Sequence, residues 1–161
     1  MERLAEQLRA VIVATDVYRR AMASALGVGV PEAATLGELL HQGPLPPSAL
    51  VKRLGIASAS VTALLDRLER AGLTRRERHP TDRRSVLVTL TPAGRAAIQA
   101  MFTVFRDDVY NAVQQSEPAH IREFTVALTK IAQALQERAA RPAAIAEALT
   151  ESTDAGRATD R

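Results

Sequence analysis

Ser48–Pro92 reads SALVKRLGIASASVTALLDRLERAGLTRRERHPTDRRSVLVTLTP, and the order of elements in it decides the fold. A short apolar pattern, Leu50, Val51 and Leu54, breaks at Gly55. From Ser58 to Ala71 the apolar residues are Val61, Leu64, Leu65 and Leu68, a spacing that gives a helix one buried face. Ser58 is placed to cap that helix, its hydroxyl accepting from an orphan N–H of the first turn. Gly72 can close the other end in the left-handed conformation. Leu73–Arg78 and Ser85–Leu90 follow as an antiparallel pair, with Val86, Val88 and Leu90 alternating. His79, Pro80, Thr81, Asp82, Arg83 and Arg84 make the turn between them. Helix, tight turn, helix and hairpin therefore stand in one uninterrupted run.

Outward from this run the chain is helical. Upstream, Leu4, Leu8, Val11, Thr15, Tyr18 and Met22 recur at three- and four-residue spacings, one helix with one mostly apolar stripe. Gly27, Gly29 and Pro31 break it. A second helix is expected over Pro31–Gln42, with Leu36, Leu39 and Leu40 inward and Gly43 as its stop. Pro44, Pro46 and Pro47 form a stiff connection to a third helix over Pro47–Leu54. Downstream, Thr91 caps a helix with Pro92 in its first turn, carrying Ile98, Met101, Phe102, Phe105, Val109 and Val113 on one stripe to about Gln115. Ser116 caps a last long helix, striped by Ile121, Phe124, Leu128, Ile131 and Leu135, a spacing suited to packing on another long helix. Beyond Arg141 there is little to bury. A short helix at Ala143–Leu149 is compatible with the pattern, and the final residues are expected to be disordered.

The 161 residues allow one domain with a core plus helical extensions. Aromatics are 3% against 47% hydrophobic residues overall, so the core must be Leu, Val, Ile and Ala, a composition that leans to helix. The absence of cysteine excludes disulfides, thiol redox switching and thiolate metal sites. His41, His79 and His120 are far apart, and no phosphate loop, nucleophile elbow or metal-spaced cluster occurs, which argues against an enzyme, a cofactor and a metal site. The N-terminus carries no signal-like segment and Ala10–Ala14 is too short to span a membrane, so a cytoplasmic protein with no membrane partner is expected. The net charge is only +3, and its distribution is more telling. Arg67, Arg70, Arg75, Arg76, Arg78, Arg83 and Arg84 crowd one short stretch, opposed there by Asp66, Glu69, Glu77 and Asp82.

These features point to a helix-turn-helix with a β wing. If Val61, Leu64, Leu65 and Leu68 face the core, Ser60, Ala63 and Arg67 lie opposite, with Ser58, Ala59 and Thr62 at the N-terminal end of that face. Small side chains there let the helix approach a DNA groove, and a helix N-terminus favours phosphate oxygens. Arg83 and Arg84 at the hairpin tip suit a minor groove, whose negative potential attracts guanidinium groups. Each part also has a plain structural reading, Ser58 as a cap and Arg67 as a solvated charge. It is their joint order that argues for DNA.

Ser58-Ala59-Ser60-Val61-Thr62, Leu65-Asp66-Arg67-Leu68-Glu69, Ala71-Gly72-Leu73, Asp82-Arg83-Arg84-Ser85 and Leu90-Thr91-Pro92-Ala93-Gly94 resemble the MarR family of transcriptional regulators. The motif match runs from about Leu36 to Arg95. The resemblance implies a mainly α fold with a small β wing, in which a winged helix-turn-helix domain is flanked by N- and C-terminal dimerisation helices. In those terms residues 1–30 are the N-terminal dimerisation helix, 31–91 the DNA-binding domain, 92–140 the C-terminal dimerisation helices and 141–161 a largely disordered tail. It implies further a homodimer, generally a repressor, on a pseudo-palindromic double-stranded operator.

Carried over residue by residue, the resemblance makes Ser58, Ser60, Thr62 and Arg67 the groove contacts, Arg84 the wing arginine with Arg83 beside it, and Asp82 the group that orients Arg84. One departure is Ala63, where many members carry a long polar residue; alanine offers a base edge only apolar contact, such as with a thymine methyl. The resemblance also implies release by a small aromatic anion, with Tyr18, His41, Phe102 and Phe105 as candidate lining, though each reads more simply as an ordinary core residue. The alternative is a winged helix used for protein–protein contact, without sequence-specific DNA binding.

Overall fold

The computed structural model describes the backbone of residues 2–82 and 85–159. The elements run α1 (Glu2–Ala25), α2 (Val30–Gln42), α3 (Pro47–Leu54), α4 (Ser58–Arg70), β1 (Thr74–Arg78), β2 (Val86–Leu90), α5 (Pro92–Val113), α6 (Pro118–Ala139) and α7 (Pro142–Thr159). The chain divides into two compact units, residues 1–108 and 109–161, with α5 crossing the boundary.

The first unit is built around the expected stripe. Val61, Leu64, Leu65 and Leu68 of α4 are buried together with Leu36 and Leu39 of α2, Leu50 of α3, Val88 of β2 and Ile98 of α5. β1 and β2 pair antiparallel, Thr74 opposite Leu90 and Arg78 opposite Val86. The proline-flanked connection adds a third, one-residue strand: Leu45 N–H donates to Val88 O at 3.1 Å, and Val88 N–H to Leu45 O at 2.8 Å. Alternation alone does not reveal such a strand, because a single bridged residue has no period.

The junction of wing and α5 is set by two glycines and a threonine. Gly72, at φ 69°, follows the α4 terminus and turns the chain into β1, a conformation open to residues without a Cβ. Gly94 packs directly on Leu73, where a Cβ would run into the carbonyl oxygen. Thr91 Oγ1 accepts from Gly94 N–H at 3.0 Å and donates to Gly72 O at 2.6 Å, so the residue that caps α5 also holds the end of α4.

Three sequence expectations need correction. Ser58 is the first helical residue and not the cap; Ala57 stands at the N-cap, and no side chain bonds there. Likewise Glu117, not Ser116, precedes α6. The region read as a largely disordered tail continues as α7 to Thr159. The alanines of residues 143–148 favour helix even with little to bury, and α7 packs on α6 within the second unit, where Arg138 Nη2 donates to Ala144 O at 2.8 Å.

Candidate nucleic-acid interface

The face of α4 that remains uncovered is small and polar. Ser58, Ala59, Ser60, Thr62 and Ala63 are all exposed. Because Ala57 caps with its backbone only, the N–H groups of the first turn have no side-chain acceptor and point outward. Thr62 Oγ1 donates to Ser58 O at 3.2 Å, which leaves its lone pairs for an incoming donor. The predicted trio Ser58, Ser60 and Thr62 therefore shares one accessible end of the helix.

Arg67 does not join them. It lies between Leu65 and Leu68, at the edge of the buried stripe, and reaches α2: its Nε donates to Glu32 Oε1 at 2.7 Å, and Nη2 lies 2.5 Å from the same oxygen. Periodicity put Arg67 opposite the core, whereas it stands at the edge of the buried stripe, beside a carboxylate that the pattern could not show. A residue thirty-five positions away decides the matter.

The hairpin is fastened to α4 by Arg76, a residue that sequence reasoning counted only as charge. Its backbone N–H donates to Glu69 Oε1 at 2.7 Å, its Nη1 pairs with Glu69 Oε2, and its Nη2 lies 2.8 Å from Asp66 Oδ1. Partial burial works against the guanidinium charge, but hydrogen bonds and the charges of Asp66 and Glu69 outweigh it and raise its pKa. Arg75 pairs with Glu77 at 2.5 Å, whereas Arg78, near the turn, forms no ion pair among the described residues. Arg67 and Arg76 are thus tied into the framework, and Arg78 is a cation that the sequence reading did not single out.

At the turn, His79 Nδ1 accepts from Thr81 N–H at 3.3 Å and Asp82 N–H at 3.2 Å, and His79 N–H donates to Ser85 O at 3.0 Å. This organises the approach to the wing tip. Arg83 and Arg84 themselves lie outside the described residues.

Tyr18, His41, Phe102 and Phe105 come together around a cleft of about 360 Å³ between α1, α2 and α5. His41 meets Phe102 edge-on with centroids 5.2 Å apart, and Tyr18 meets Phe105 at 5.8 Å. The Tyr18 hydroxyl donates to Asp108 Oδ2 at 2.6 Å; that bond, with desolvation and the carboxylate's charge behind it, raises the phenol's pKa. Arg19 and Glu38 add charge to the lining. Glu38 is held from the far side by Arg53 of α3, Nη1 to Oε2 at 3.0 Å.

Residues 30–86 match the family model described as MarR family. YcgE of Bacillus subtilis, an HTH-type transcriptional regulator, is 37% identical over 63% of this chain and 67% of its own length. The chain belongs to the MarR family. A MarR-family chain is a DNA-binding regulator of transcription and not an enzyme. A MarR family protein from Bacillus stearothermophilus has the same fold, with a TM-score of 0.75 at 24% identity over 84% of this chain and 94% of that one. A point mutant of MepR from S. aureus, solved bound to an oligodeoxyribonucleotide, matches with a TM-score of 0.62 at 23% identity over 82% of this chain and 97% of that one.

Among the described residues of this MarR-family chain, no single helix is long and apolar enough to cross a membrane. No group of three His, Asp or Glu side chains gathers there as a metal-ligand set either.

Proposed function

We propose that this chain binds a pseudo-palindromic double-stranded DNA operator as a homodimer in the cytoplasm and represses the gene beside it. The observation that carries the reading is the uncapped, small-residue N-terminal face of α4, standing clear of the core beside an arginine hairpin. Backbone N–H groups and the hydroxyls of Ser58, Ser60 and Thr62 suit phosphates and base edges, and Ala63 permits close approach. Arg83 and Arg84 serve as the wing contacts, with Asp82 orienting Arg84. With few long donors on α4, recognition leans on DNA shape as much as on base edges.

The dimer is supported by apolar side chains that each unit leaves exposed by itself. Leu4, Val11, Ile12, Val13 and Val17 are exposed on α1, and Phe124, Val126, Leu128 and Leu135 on α6, a helix without one buried residue. A second copy is the economical cover, and it would set two α4 helices roughly 34 Å apart, one turn of DNA. The cleft lined by Tyr18, His41, Phe102 and Phe105 is the seat we assign to a small aromatic ligand that releases DNA.

Titration of the chain against the DNA upstream of its own coding region, across a salt series, tests the reading. Affinity should fall steeply with salt. Arg84→Ala should weaken binding to any sequence and lower the salt slope by about one. No binding at low salt would instead favour a protein-contact role for the winged helix.

A further inference from the structure

We propose that the Glu32–Arg67 ion pair is a positioning element, which sets the pitch of α4 against α2, so that Arg67 governs recognition without touching DNA. The inference rests on DNA reading by α4. Glu32 is the one charged side chain among the buried described residues, while Arg67 is half exposed. The carboxylate sits in the first turn of α2, where the helix dipole favours negative charge. It is packed tightly there: a Cβ on Gly29 would collide with its Oε2. Arg67 holds the other oxygen through its Nε–H at 2.7 Å, with Nη2 close beside the same oxygen. A charge-assisted bond to a buried carboxylate is shorter and stronger than a neutral one, so it restrains where the Arg67 side chain can sit.

Rotating α4 about its axis would pull Arg67 away and leave a buried carboxylate unpaired, which a low-dielectric site resists. Leu64, Leu65 and Leu68 fix how deeply α4 is buried, and the ion pair adds a directional contact to their non-directional packing. The pair also joins α4 to the helix whose Ala34, Gly37 and His41 line the cleft. Any displacement of α2 is therefore passed to the reading helix through a polar contact.

The test uses the full chain with its own upstream DNA and a scrambled fragment of equal length, each titrated over a salt series. Glu32→Gln, Arg67→Gln and the double variant are compared, with thermal midpoints measured to establish that each is folded. Each single change should lower the preference for the upstream fragment by about tenfold, and the double should be no worse than either single. Binding to scrambled DNA and the salt slope should stay at wild-type values.

Arg67→Lys, which keeps the charge but loses the Nε–H donor that meets Glu32, should show the same loss, and it serves if the glutamine variants fail to fold. A salt slope lowered by about one in Arg67→Gln, with Glu32→Gln binding as well as wild type or tighter, would make Arg67 a phosphate contact and overturn the proposal. Wild-type preference in all variants would overturn it as well, while leaving DNA binding intact. Wild-type protein that binds neither fragment would overturn the DNA-binding reading and this proposal together.

Discussion

The winged core and the long flanking helices spend their apolar residues in opposite ways. In the core, Leu36, Leu39, Leu50, Val61, Leu64, Leu65, Leu68, Val88 and Ile98 are nearly or fully inaccessible. On α1 only Ala23 is buried, and on α6 no residue is, although both helices carry regular apolar stripes. The core satisfies itself within one chain. The flanking helices carry apolar stripes that their own units leave largely uncovered, the feature that supports the proposed dimer. The difference separates stability from assembly, and mutations can take the two apart.

The largest expected effect is in the core. Leu65→Ala should cost about 2–5 kcal/mol of unfolding free energy, because the site is ringed by buried neighbours that cannot close a cavity; denaturant unfolding measures it. Leu128→Glu, on α6, should barely change the stability of the winged core yet give a monomer by light scattering. Its affinity for the upstream DNA should fall by about a hundredfold, the lost contribution of linking two half-sites. If Leu128→Glu instead unfolds the whole chain, the separation of core from flank is wrong.

Gly94→Ala should cost about 1–3 kcal/mol, since the added methyl meets the Leu73 carbonyl and the hairpin must shift to admit it. A thermal melt resolves that shift, and an unchanged midpoint would show the junction to be pliant. Smallest of all, Arg76→Ala should lower stability by about 1 kcal/mol or less, its partners Asp66 and Glu69 being partly solvated. It should nevertheless raise amide exchange in β1 and β2, because the hairpin loses its tie to α4.

Much of the architecture was legible in local pattern. The α4 stripe, the breaks at Gly55 and Gly72, the alternation of Val86, Val88 and Leu90, and the cap at Thr91 each depend on neighbours a few residues away. Boundaries slipped where capping residues compete: Ser58 enters the helix while Ala57 takes the cap. The candidate site was legible in part. Ser58, Ser60 and Thr62 share an accessible face as read, and the four cleft residues meet, whereas Arg67 is claimed by Glu32.

By itself the sequence determined which faces are apolar and the order of helix, turn, helix and hairpin, with most helix ends placed to within a residue or two. Only the tertiary structure decided what stands across from each polar group. It gave Arg67 to Glu32, Arg76 to Asp66 and Glu69, Leu45 to the edge of β2, and Glu38 to Arg53. The physical reason is that periodicity records the choice between water and core, which each helix makes by its own geometry. An ion pair is a choice of partner, and packing brings that partner from anywhere in the chain.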